Sequence, residues 1–161
     1  MNWDMFFTMQ NQLDSYIQSK HRLEKTDIFQ AKILALLVEV GELANETRCF
    51  KFWSTKPRNE KKIILEEYVD GIHFILSLGI DQGYRYNEKL LEEVTSSETE
   101  QFNQVFDSVA AFKEEPSKLN YERLFTNYLE LGDLLGFSET DIQEAYMKKN
   151  EINYERQNEG Y

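Results

Sequence analysis

The stretch LLVEVGELANETRCFKFW, residues 36–53, decides how the chain is read. Leu36, Leu37, Val38, Val40, Leu43 and Ala44 belong inside a protein, yet Glu39, Glu42 and Glu46 are threaded through them. A helix turns about 100° per residue, so positions three or four apart share a face. The three glutamates therefore form one acidic stripe on a helix whose remaining surface is largely apolar.

Working outward, the same period recurs on both sides. Trp3, Phe6, Phe7, Leu13 and Ile17 give a first helix to about Lys20. Thr26 and Asp27 are N-cap candidates for the helix that carries the stripe, with Gln30 placed to form a capping box with Asp27. That helix ends near Arg48. Residues 49–58, CFKFWSTKPR, break the pattern as an aromatic and basic loop. A third helix runs from about Asn59 to Ile80 and stops at Gly83. A fourth is expected from near Asn87 through LLEEV, with an interruption around Thr95–Ser97, and then on through Phe102, Val105, Phe106 and Val109 to Pro116. A fifth spans Leu119–Leu135 before Gly136. Ser138 caps a sixth, with Asp141 at the capping-box position, and this reaches about Gln157. No stretch alternates with period two, and only 7 glycines and 2 prolines punctuate 161 residues. The reading is a single all-α domain over residues 1–161, a bundle of about six helices.

Composition narrows the function. A net charge of −11 repels phosphate backbones, which argues against nucleic-acid binding. The longest apolar run, ILALLV, is far short of the ~20 residues that span a membrane. No basic residue precedes Lys20, so the N-terminus does not read as a secretory signal, and the single cysteine, Cys49, allows no intrachain disulfide. A cytoplasmic protein is expected.

A second acidic set lies in LEEYVDGIHF: Glu67 and Asp70 are three apart, Glu66 and Asp70 four apart. Ile64, Leu65, Val69, Ile72, Phe74 and Ile75 surround them. Like charges on one face repel by about 0.2–0.5 kcal/mol per exposed pair, and far more when buried. No lysine or arginine sits within one turn of Glu39, Glu42, Glu67 or Asp70. A hard divalent cation, Mg²⁺ or Mn²⁺ in its place, is the economical compensation for an all-carboxylate set. Such a stripe on a solvated surface, in a helical interaction module without enzymatic activity, is the bland alternative. His73 follows Asp70 by three, but a di-iron bundle needs Glu-x-x-His on two helices. It reads equally as a core histidine or a ligand-contacting one.

Near the C-terminus, Lys149, Asn153 and Arg156 fall four and then three apart, with Asn150 and Gln157 beside them. This polar stripe suits phosphate oxygens and is expected to close over them as a mobile end of the chain. In the loop, Trp53 could stack on a base or plug the core.

E-x-x-E, 24 residues, then E-x-x-D resembles the all-α nucleoside triphosphate pyrophosphatase superfamily. ALLVEVGELANETRCFKFWS, LEEYVDGIHFILSLG and KNEINYERQNEGY are similar to its dimeric dUTPase branch. The resemblance implies Mg²⁺-dependent hydrolysis of dUTP, and of dUDP, to dUMP by a homodimer. It implies Glu39, Glu42, Glu67 and Asp70 as metal ligands, with Glu39 or Glu42 activating water. Lys149, Asn153 and Arg156 would hold phosphates, and Trp53 and His73 would lie near the nucleoside. Gln10 and Asp14 fall where the family reads the base with Gln and Asn; Asp14 departs from that Asn, and neighbouring Asn11 is the other candidate. A MazG-type pyrophosphatase of different or broader nucleotide preference shares the acidic motif but is expected to lack the K-N-x-x-N-x-x-R-Q ending.

Overall fold

The computed structural model describes residues 1–23, 27–87 and 97–160. These form six α-helices, with no strand among the described residues: α1 (Trp3–His21), α2 (Phe29–Thr47), α3 (Lys61–Gln82), α4 (Glu98–Glu114), α5 (Lys118–Leu134) and α6 (Glu139–Asn158). None is long and apolar enough to cross a membrane.

Helix α3 is the hub, packing against α1, α2, α5 and α6, while α4 pairs with α5 and touches α2. The acidic helix keeps its other side in the core: Leu36, Val40 and Leu43 are fully buried, and each contributes about 1.5–3 kcal/mol by leaving water. Burial on this scale fixes the rotation of α2 and so the direction in which its glutamates point.

Two tyrosines lock α3 to α5. Tyr68 and Tyr128 stack with ring centroids 4.7 Å apart, and each hydroxyl donates to the other's backbone carbonyl, at 3.1 and 2.8 Å. This closeness needs small neighbours. A Cβ on Gly132 would lie 2.2 Å from the Tyr68 hydroxyl, and one on Gly71 would lie 2.0 Å from that of Tyr128. In an open helix Gly→Ala stabilises by up to ~1 kcal/mol. At Gly132 the clash with a fully buried ring should reverse that sign, because overpacking costs about 1–3 kcal/mol or more. Urea unfolding should therefore show Gly132→Ala destabilised and Gly41→Ala, whose Cβ would meet nothing within 4 Å, stabilised. Equal effects at the two sites would contradict the tyrosine lock.

The helix ends follow their sequence signals in part. Ser138 and Asp141 form the expected capping box, and Ser97 with Glu100 forms another. Gly83 ends α3 in the left-handed region (φ 71°). Asp27 and Gln30 do not form a capping box: Ile28 is the N-cap of α2, and Asp27 accepts instead from the Phe29 N–H at 3.0 Å. Thr26 and the LLEEV segment lie outside the described residues, and α4 begins only at Glu98. The last helix packs on α1. Tyr146 is fully buried against Phe6, Tyr154 packs on Tyr16, and the Tyr16 hydroxyl donates to Asn158 at 2.5 Å. These aromatic anchors, interleaved with the polar stripe, hold α6 in the bundle.

Candidate active site

A loop pinned at both ends aligns the two acidic helices. Arg48 ends α2 in the left-handed conformation (φ 58°), and its guanidinium donates to the Lys56 carbonyl and the Ser54 hydroxyl. Asn59 then returns to α2, donating its backbone and side-chain N–H groups to Glu46 at 3.0 and 2.6 Å. Glu46, the third member of the stripe, is thereby engaged in fixing the loop.

The other carboxylates converge. Glu39 from α2 and Glu67 and Asp70 from α3 each place an oxygen within 4.8 Å of the others, at intermediate burial. Glu42 stands outside that trio, on the exposed side, with its charge still felt by Glu39 and Glu67. Burial, then repulsion from Asp70, Glu42 and Glu67, pushes the Glu39 carboxyl up to about 7. Burial and the charges of Asp70 and Glu42 also raise Glu67. Asp70 is raised by burial against the pull of Lys149, whose ammonium donates to it at 2.6 Å. Three half-buried carboxylates that resist ionisation fit a hard divalent cation, which would supply the missing positive charge. Lys149 already supplies part of it.

Glu39 and Asp70 line a cleft of about 400 Å³ between α1, α2, α3 and α6, and Glu67 stands next to them just outside its lining. Lys149, Asn153 and Arg156 line it from α6, and Gln10, Asp14 and His73 from α1 and α3. Trp53 and Asn11 are not among its lining residues. Asn11 is exposed, turned off the Gln10–Asp14 face by one residue of helix rotation. Trp53 is 65% exposed and meets Phe50 and Phe52 edge-on.

The far end of the cleft is a closed hydrogen-bond chain. The Gln10 amide donates to Asp14 Oδ1 at 2.8 Å, and Ser77 donates to Asp14 Oδ2 at 2.7 Å. Gln10 Oε1 accepts from the Tyr146 hydroxyl at 2.9 Å and from His73 Nδ1 at 2.7 Å. An amide oxygen only accepts, so Nδ1 carries the proton of His73. Burial, with the charge of Lys149, lowers this imidazole to about 3, so it is neutral. Its Nε2 is a buried acceptor lacking a hydrogen-bond partner among the described residues.

Sequence reasoning missed Tyr146, Ser77 and Lys32, all part of this wall or its supports. The helical period held the signal. Lys32 is seven residues before Glu39, Ser77 seven after Asp70, and Tyr146 seven before Asn153, each two turns along the same face.

No curated protein matches the chain. The sequence model of the dUTPase family matches residues 2–161. The chain belongs to the dUTPase family. Its all-α architecture agrees with the resemblance of its acidic motifs, and membership makes it a hydrolase, a dUTP diphosphatase. In this dUTPase Glu39, Asp70 and the α6 cations share one cleft with a polar, largely buried end. One charged end and one hydrogen-bonding end is the division a nucleotide requires.

Proposed function

We propose that this cleft binds dUTP with its triphosphate between the acidic trio and α6, and releases dUMP and pyrophosphate in a Mg²⁺-dependent reaction. The convergence of Glu39, Glu67 and Asp70 within 4.8 Å, opposite Lys149, carries the reading. Glu39, Glu67 and Asp70 would hold the metal, with Glu42 joining from the exposed side. Mg²⁺, or Mn²⁺ in its place, would screen the phosphate charge and acidify a bound water. Glu39 or Glu42 takes the proton of the attacking water. Lys149, Asn153 and Arg156 bind phosphate oxygens, and Lys149 exchanges Asp70 for the substrate in doing so. Gln10, Asp14 and His73 orient the nucleoside, the bare Nε2 of His73 accepting from a sugar hydroxyl or base N–H. dUDP reacts in the same cleft, since the base and the first two phosphates are shared.

A homodimer is supported by apolar surface left uncovered in one chain: Leu34 and Val38, one turn apart on α2, are 63% and 47% exposed, and Phe52 is 93% exposed. Trp53 stands in that same exposed aromatic loop, which leaves it to reach nucleotide or a second copy from outside the cleft. The net charge of −11 supports an enzyme that does not bind nucleic acid.

A nucleotide panel with pyrophosphate detection tests the reading. With Mg²⁺, dUTP should exceed dTTP, dCTP and UTP by at least ~10²-fold in kcat/KM, since a hydrogen-bonding pocket rejects analogues that leave its groups unpaired. Chelation should abolish release. Comparable constants across the panel would overturn the uracil assignment and favour a broad pyrophosphatase.

A further inference from the structure

The cleft contains one buried charge that the reaction above does not use. Lys32 is 8% exposed, lines the cleft beside Asp14, and donates to Asp81 at 2.6 Å. Its charge also acts on Asp14, opposing the rise that burial imposes there. Two carboxylates thus share one ammonium at the base end of the site. A tether between α2 and α3 does not require this, because a buried ion pair is seldom better than the apolar side chains that could replace it.

Uracil and cytosine differ on a single edge. Uracil presents N3–H as donor and O4 as acceptor, whereas cytosine presents N3 as acceptor and a 4-amino group as donor. An acceptor next to a fixed cation complements the first edge and opposes the second at both positions. Asp14 already accepts from Gln10 and Ser77, and each carboxylate oxygen has a second lone pair. Lys32 has three donors, of which the bond to Asp81 uses one.

We infer that Lys32 is the specificity residue that excludes cytosine, donating to uracil O4 while Asp14 accepts N3–H. A charged pair thereby does the work an amide side chain would do in reading this edge. Asp81 positions Lys32 and does not touch the base. The assignment rests on the cleft being the uracil site.

The experiment compares kcat/KM for dUTP and dCTP in the wild type, Lys32→Arg and the double variant Lys32→Met with Asp81→Met. The double variant removes the ion pair as a unit, and Asp14 keeps its hydrogen bonds from Gln10 and Ser77. It should lower the dUTP-to-dCTP ratio by roughly 30-fold, the worth of one charged hydrogen bond, chiefly through the KM for dUTP. Lys32→Arg keeps a donor and should hold the ratio within a few fold. A folded double variant with the wild-type ratio overturns the inference and leaves Lys32 a tether. Similar wild-type rates for dUTP and dCTP overturn the cleft assignment together with it.

If the double variant does not fold, the unaltered enzyme decides. Sulfur accepts hydrogen bonds poorly, and 2-thio-dUMP and 4-thio-dUMP carry it at matched size. Inhibition by the 4-thio compound should be roughly 10-fold weaker than by the 2-thio compound. Equal inhibition, or the reverse order, overturns the assignment of O4 to Lys32.

Discussion

Glu39→Gln is expected to lower dUTP turnover by roughly 10³-fold and, in metal-free buffer at pH 8, to raise the melting temperature. The two effects share one cause. Glu39 is held among Asp70, Glu42 and Glu67, so its charge is unfavourable until a cation arrives. The amide keeps the shape and removes the charge. Losing a ligand to a cation that stabilises developing phosphate charge forfeits several kcal/mol in the transition state, hence the size of the loss.

The pH dependence has a definite sign. The folded carboxyl titrates near 7 against an ordinary 4.5, so between these values the folded protein holds the proton more tightly than the unfolded chain. Metal-free stability should therefore fall as pH rises from about 4.5 to 7 and stay low above it. Glu67 and Asp70 are shifted in the same direction and add to the slope. Mg²⁺ at pH 8 should restore the loss by binding only the folded protein, and Glu39→Gln should flatten the curve. A melting temperature independent of pH from 5 to 8 without metal, or near wild-type turnover in Glu39→Gln, would remove Glu39 from the metal site.

How much of this could be read in advance depended on which interactions were local. Helical period placed Glu39 with Glu42 and Glu67 with Asp70, because residues three apart on a helix must share a face. Ser138 and Asp141 were legible for the same reason. The period could not show which members of each stripe converge. Glu46 turns to Asn59 through a loop contact 13 residues away, and Glu42 ends on the exposed side. Nor could it show that Tyr146 reaches Gln10 across 136 residues, or that Lys32 meets Asp81 across 49. Gln10 and Asp14 came only from resemblance, since two polar residues on an amphipathic helix carry no signal of their own. The sequence reading of α6 weighed its polar positions without Tyr146 and Tyr154 between them, and these pack on Phe6 and Tyr16 of α1. Those aromatics anchor the helix that carries the polar stripe.

Lys149→Met should act in opposite directions on the two ligands of the site. The Lys149 ammonium lies 2.6 Å from Asp70, and both side chains are under one-fifth exposed. It therefore occupies part of the electrostatic role of the metal, and Mg²⁺ binding alone must displace it or tolerate its repulsion. Removing it should tighten Mg²⁺ binding several-fold in calorimetric titrations without nucleotide. The metal-free protein should meanwhile melt at a lower temperature, because Asp70 is left half-buried with its ion-pair partner gone. With dUTP the sign reverses. The triphosphate loses a charged donor, and the KM should rise by roughly 10–100-fold, the worth of a hydrogen bond to a charged group. Lys149→Arg keeps the charge and should fall between wild type and Met in both titrations. Weaker Mg²⁺ binding in Lys149→Met would mean that the lysine supports the metal site and does not compete with it. An unchanged KM for dUTP would show that its place is beside Asp70 throughout the reaction, leaving Asn153 and Arg156 to hold the phosphates.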